Sequence, residues 1–235
     1  MRKLKVDTAF IDLQGTITDD ISRNNYFSDP DLRGDYFGGI LRDTLIKKFR
    51  ISSSEALERI KEVTNPCGWF DPFYAVSHSD WGISEEEIWR KILKWQNEHI
   101  IVIKDAIDMV KELRRRNFNL YMVSNCAKKV VLAQLTTAKL AKRNNSSYFK
   151  QIYGCFDLGL QKDNPLVYEK ILRIEDLAPE EVVMIGNEPG IDSESPHKAG
   201  ICYSIIVDRK QKNRIIAKDG AIFVNSLRIV PQILK

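Results

Sequence analysis

The sequence predicts an α/β fold, a doubly wound parallel sheet carrying an inserted and mainly helical second unit. Three observations lead there. Short, nearly continuous apolar runs recur along the chain, as strands buried on both faces require. Amphipathic stretches with helical spacing separate those runs, which is the alternation of a parallel sheet covered by helices. One long segment, residues 20–99, breaks the alternation and contains no clear parallel strand.

In chain order, the first strand is expected at residues 6–13 (VDTAFIDL). The others are expected at 120–124 (LYMVS), 182–185 (VVMI) and 202–207 (CYSIIV), with a short one at 221–224. Helical patterns fill the intervals at 103–116, 128–140, 165–172 and 195–199, and an amphipathic stretch at 227–234 closes the core. The segment 20–99 holds helical patterns at 36–49, 54–63 and 84–99 around an aromatic-rich loop, NPCGWFDPFYAVSHSDWG. Ser54 and Ser84 precede acidic first turns and are expected to cap their helices. This gives a core of residues 1–19 and 100–235, with 20–99 as a helical cap. Trp69, Phe70, Phe73, Tyr74 and Trp81 of the loop are expected to form the cap's own core, with a substrate pocket as the alternative. His78 stands alone in a polar loop and carries no role.

Composition narrows the function classes. The chain has 235 residues, 43% hydrophobic, 9% aromatic and 29% charged, enough for a large buried core and too apolar for disorder. No apolar stretch approaches the ~18–20 residues of a membrane helix. The basic-then-apolar start MRKLKVDTAFIDL is interrupted by Asp7 and Asp12 and followed by no small-residue cleavage site, so it is not read as a signal peptide. A cytoplasmic protein is expected. Cys67, Cys126, Cys155 and Cys202 are scattered without metal-ligand spacing and are expected to be buried free thiols. Net charge is +4, from 36 Lys and Arg against 32 Asp and Glu. The short basic runs lie near helix ends or in loops, diluted by acidic neighbours. They read as solvated surface and argue against a nucleic-acid partner.

Ligands of open α/β sheets bind beyond the carboxyl ends of the strands. The residues there are Asp12, Gln14 and Thr16 after the first strand, Ser124 and Asn125 after the second, and Asn187, Glu188 and Asp192 after the run at 182–185. Lys162 precedes the helix leading into that last strand. A carboxylate nucleophile, a hydroxyl, a fixed cation and a second carboxylate converging on one spot suit covalent catalysis at a phosphoryl or carbon electrophile.

These segments resemble the haloacid dehalogenase-like (HAD) superfamily, in the subgroup with a helical cap after the first strand. FIDLQGTITDD resembles the nucleophile motif, LYMVSN the second motif, KDNPLVYEKIL the lysine motif, and VVMIGNEPGIDSESPHKAGI the acidic fourth motif. They occur in family order, and AIFVNSLRIVPQIL resembles the usual ending. The resemblance implies that Asp12 is the nucleophile, Ser124 the phosphate-binding hydroxyl and Lys162 the charge-balancing cation. It implies that Asp12, Asp192, Asn187 and the backbone carbonyl of Gln14 hold Mg²⁺, with Glu188 as a possible supplement, and that Thr16, Ser124, Asn125 and Lys162 contact substrate. A small, phosphorylated substrate is expected.

The sequence departs from the family pattern at two positions. Gln14 stands where phosphatases of the family place the Asp that acts as general acid and base, and an amide delivers no proton. Asn187 stands where many members have Asp. Three readings remain open: a Mg²⁺-dependent phosphatase with weakened acid/base catalysis, a dehalogenase-like hydrolase whose leaving group needs no proton, and a non-catalytic binding module.

Overall fold

The computed structural model describes residues 4–20, 35–64, 71–142 and 147–235. It divides into two compact units, Met1–Asp19 with Ile101–Lys235, and Asp20–Ile100.

The first unit is built on a seven-stranded sheet of order β5-β4-β1-β6-β7-β9-β8. β1 (Thr8–Ile11) lies between β4 (Asn119–Ser124) and β6 (Val182–Gly186), parallel to both. β5 (Gln151–Gly154) extends the sheet beyond β4, and β7 (Tyr203–Val207) and β9 (Ala221–Val224) extend it beyond β6, all parallel. β8 (Ile215–Lys218) adds an antiparallel edge. The central strands are buried along their length, which is why their sequences run apolar rather than alternating.

Helices cover the sheet through apolar stripes. α7 (Leu166–Glu175) sets Val167, Tyr168, Ile171 and Leu172 against Phe10, Tyr121, Val123 and Met184. α5 (Lys104–Arg115) buries Ala106, Met109, Val110 and Leu113 at helical spacing, and α6 (Lys128–Thr137) follows β4. The chain leaves the first unit through β2 (Thr18–Asp20) and returns through β3 (Ile100–Val102), and the two strands pair with each other.

The second unit contains α1 (Asp35–Phe49), α2 (Ser53–Thr64), α3 (Pro72–Ser77) and α4 (Glu85–His99). Ser84 caps α4 as expected, its side chain accepting from the Glu87 amide at 3.1 Å. At α2 the cap is Ser52 rather than Ser54. The Ser52 hydroxyl accepts from Glu55 N–H at 3.2 Å, because the helix begins one residue earlier than the apolar pattern suggests. The aromatic loop is not all loop. Asp71 caps α3 and Pro72 occupies its first turn, a pairing of N-cap acceptor and fixed φ that starts a helix. Phe73 and Trp81 are buried, and Phe73 packs on Trp89 of the same unit. Trp69 and Phe70 lie outside the described residues, as does Cys67.

The thiol expectation needs correcting. Cys155 is buried, and burial raises its pKa to about 12, but Cys126 is half-buried and Cys202 is exposed. The last lies before β7 rather than inside it, because that strand begins at Tyr203. None of the helices among the described residues is long and apolar enough to cross a membrane.

Candidate active site

β1 delivers Asp12 to the carboxyl edge of the sheet, where its backbone N–H donates to Ile185 O of β6 at 2.9 Å. The chain then turns sharply. Gly15 adopts φ 78°, the left-handed region where glycine carries no Cβ penalty, and its N–H donates to Thr18 O at 2.6 Å. The turn aims the Thr16 hydroxyl back at Asp12 Oδ2, 3.1 Å away. Arg209, beyond β7, braces the same turn by donating to Gly15 O at 2.8 Å and Thr16 O at 3.3 Å.

Lys162 reaches this carboxylate from the loop before α7. Its backbone N–H donates to the Asn125 side chain at 2.8 Å, which ties the lysine loop to the end of β4. Its side chain is fully buried, and the ammonium contacts Asp12 Oδ1 at 2.6 Å and Asp192 Oδ1 at 2.5 Å. One cation therefore bridges two buried carboxylates. Burial alone would lower the Lys162 pKa, but the two carboxylates outweigh it and hold the ammonium well above its ordinary range. Burial, opposed by Lys162 and assisted by Asp192, raises Asp12 to about 6.

Asp192 is fixed from the other side. Its Oδ2 accepts from the backbone N–H groups of Asn187 and Glu188, both at 3.0 Å. Close approach explains Gly186, since a Cβ there would lie 2.2 Å from the Asp192 carboxyl. Asp192 Oδ1, also buried, is held by the Lys162 ammonium.

The structure thus brings Asp12, Thr16, Lys162, Asn187, Asp192 and the Gln14 carbonyl together, with Asn125 holding the lysine loop. Ser124 is buried at the end of β4, but its oxygen accepts from Cys126 N–H at 3.3 Å rather than meeting a charged group, leaving its own proton to donate. The Gln14 side chain is exposed. Glu188 contributes its backbone N–H and its side chain is exposed, and no group of three His, Cys, Asp or Glu residues among the described residues surrounds a metal-sized space.

The donor set nevertheless fits a hard divalent cation. A terminal atom of the Asn187 side-chain amide lies 2.8 Å from Gln14 O, 3.2 Å from Asp12 Oδ2 and 3.1 Å from the Thr16 hydroxyl. With the amide nitrogen inward, its two protons are shared among these three acceptors. With the oxygen inward, it joins Gln14 O and Asp12 Oδ2 in an oxygen cluster. Mg²⁺ at ~2.0–2.1 Å from octahedral oxygens places neighbouring ligands about 3 Å apart, the spacing seen here. Asp192 supplies a second buried carboxylate, paired with the same lysine as Asp12. Asn187→Asp is accordingly expected to destabilise the chelator-treated protein by about 2 kcal/mol through like-charge crowding, and to enlarge the rise in Tm on adding Mg²⁺ by roughly 4–8 °C. Thermal melts with EDTA and with Mg²⁺ check this, and equal rises in parent and variant count against a cation among these oxygens.

Three participants escaped the sequence reading. The Tyr168 hydroxyl donates to Ile191 O at 2.6 Å, bracing the loop that carries Asp192. The Thr18 hydroxyl donates to the buried Gln134 side chain at 2.9 Å. Arg209 belongs to a basic run read as surface. Tyr168 stands in the lysine motif and had a signal in its position; the other two become visible only when distant segments meet.

Residues 40–206 match the family model described as haloacid dehalogenase-like hydrolase. A pyrimidine 5'-nucleotidase, PynA of Streptococcus pneumoniae (strain ATCC BAA-255 / R6), is 30% identical over 100 residues, which are 42% of this chain and 40% of that protein, so the match spans well under half of either. Among solved structures, a HAD phosphatase from Thermococcus onnurineus aligns with TM-score 0.61 and 20% identity, covering 97% of each chain. A 2-haloacid dehalogenase from Pseudomonas syringae pv. tomato DC3000 aligns with TM-score 0.59 and 18% identity, again over 97% of each. A Bacillus subtilis HAD-fold protein, YfnB, solved with bound magnesium, aligns with TM-score 0.57 and 18% identity over 98% of this chain and 99% of that one.

Proposed function

Because the chain belongs to the haloacid dehalogenase-like hydrolase family, we propose that it is a cytoplasmic, Mg²⁺-dependent phosphatase of a small phosphorylated metabolite, acting through Asp12. The observation that carries this reading is the buried Lys162 ammonium bridging Asp12 and Asp192 at the carboxyl edge of the sheet. The similarity to a nucleotidase makes nucleoside monophosphates the first substrates to try.

In this reading an Asp12 oxygen attacks phosphorus, the bond to the leaving oxygen breaks, and an aspartyl-phosphate forms. Water then attacks that phosphorus and returns Asp12 with release of inorganic phosphate. Lys162 balances the charge shared by nucleophile and phosphoryl group, and the Thr16 hydroxyl orients Asp12. The Ser124 hydroxyl and Asn125 hold phosphoryl oxygens. Asp12, Asp192, Asn187 and the Gln14 carbonyl would hold Mg²⁺, which when bound supplies positive charge opposite the charge developing on the transferred group. The inserted unit Asp20–Ile100 takes the part of a cap that selects substrate.

The test is phosphate release from nucleoside monophosphates and from an aryl phosphate, with Mg²⁺ and with EDTA. Turnover is expected only with metal, and Asp12→Asn is expected to abolish it. Metal-independent halide release from 2-haloacids, without phosphate release, overturns the reading in favour of a dehalogenase.

A further inference from the structure

The sheet edge opposite Asp12 carries a second concave feature. There α5 and α6 end and β4 and β5 begin, and a cavity of about 610 Å³ is lined by Lys111, Arg114, Arg115, Lys139, Lys142 and Tyr148, with Leu140, Ala141 and Ser147 behind them. That size is typical of small-molecule sites. Its wall is tied by an antiparallel bridge between Ala141 and Ser147 and by Tyr148 N–H donating to Leu140 O at 3.0 Å.

The charge in the cavity exceeds what the fold uses. Arg115 is neutralised by Glu112, which it grips at 2.8 and 2.7 Å. Asp108, one turn earlier, is engaged by Arg228 at 3.2 Å. Arg114 donates to Phe118 O at 3.2 Å, but only through Nη1, and keeps its charge. Lys111, Lys139 and Lys142 meet no carboxylate among the described residues. The carboxyl ends of α5 and α6 offset only about one elementary charge together. Roughly three positive charges therefore remain, close to the roughly −3 carried by two phosphates at neutral pH.

Lys139 sharpens the point. It ends α6 in the left-handed region at φ 57°, with Leu140 N–H donating to Leu135 O at 2.8 Å. Glycine is the residue favoured at that position, so a lysine there gives up backbone ease for a side chain at the cavity. Tyr148 adds an aromatic surface beside the cations. A nucleic-acid strand calls for a continuous basic track, whereas these exposed cations line one open concavity.

We propose that this cavity binds a small polyphosphate-bearing molecule, its phosphates held by Lys111, Arg114, Lys139 and Lys142. Nucleoside polyphosphates and inorganic polyphosphate share this chemistry, and Tyr148 is positioned to recognise the base of the former.

The protein, treated with chelator, is titrated calorimetrically with ADP and with inorganic tripolyphosphate, and hydrogen exchange locates the site. Saturable binding is expected, with protection at Lys111–Arg115, at Lys139–Lys142 and at Ser147 and Tyr148, weakening as salt is added. A Lys139→Asn/Lys142→Gln double variant, altered only at exposed residues, is expected to lose at least 10-fold in affinity while its Tm stays unchanged. Tighter binding of ADP assigns the nucleoside form and tighter binding of tripolyphosphate the inorganic one. Absent binding, affinity unchanged in the double variant, protection confined to the Asp12 edge, or tighter binding of a single-stranded RNA overturns the proposal. None of these outcomes depends on the phosphatase reading.

Discussion

Gln14→Asp is expected to raise Mg²⁺-dependent turnover of alkyl phosphates by about 10²-fold or more, the scale of a positioned general acid. An alkoxide is a poor leaving group and needs a proton as its bond to phosphorus breaks. Aryl and acyl phosphates leave as stable anions and do not. The wild-type protein should therefore hydrolyse activated phosphates measurably and sugar or alkyl phosphates very little, and the substitution should narrow that gap. The geometry makes the exchange local. The Gln14 side chain is exposed, while the backbone around it is set by the Gly15 turn and by Arg209 rather than by the amide. A carboxylate should thus enter without disturbing Asp12. Steady-state kinetics on paired aryl and alkyl substrates measure the effect, with Asp12→Asn as the control that abolishes both. An unchanged alkyl-to-aryl ratio removes position 14 from the proton-transfer path.

Much of this was legible in the chain, and the reasons for the gaps are physical. β1, β4, β6 and β7 announce themselves because they are buried along nearly their whole length, which leaves continuous apolar runs, and β9 because its four residues are all apolar although only its ends are buried. β5 does not. Its four residues, Gln151–Gly154, hold only two apolar side chains, and its place comes from parallel pairing with Tyr121–Ser124. β8 is an edge strand, half-exposed and following a basic loop, so its IIAK carries no burial pattern. α3 was masked by the density of aromatics around it, although Asp71-Pro72 is a helix start in its own right. At the site, the charged residues could be read because each follows a strand or opens a helix. Ser124 illustrates the limit. Its position was readable, but not that its oxygen would be taken by Cys126 N–H. The bracing contacts of Arg209 and Gln134 join segments far apart in sequence, and no local pattern encodes them.

Lys162→Met should have the largest effect on stability. The lysine ammonium is the only cation in contact with Asp12 and Asp192 among the described residues, and all three side chains are buried. Methionine fills nearly the same volume, so the loss isolates charge from packing. Removing one partner of a buried ionic cluster leaves uncompensated charge and costs about 3–5 kcal/mol. For a chain of this length that corresponds to a fall in Tm of roughly 6–20 °C in EDTA. Asp192 cannot relax away, because the Asn187 and Glu188 amides and the close pass of Gly186 hold its carboxyl in place. Asp12 is held in turn by the Thr16 hydroxyl. If the same two carboxylates hold Mg²⁺, adding the ion should restore much of the lost stability, and more in the variant than in the parent. Phosphatase activity should stay low even then, since the metal replaces the missing charge without restoring the ammonium beside the transferred group. A variant that melts with the parent in EDTA would mean that the bridge between Asp12 and Asp192 does not hold the site together.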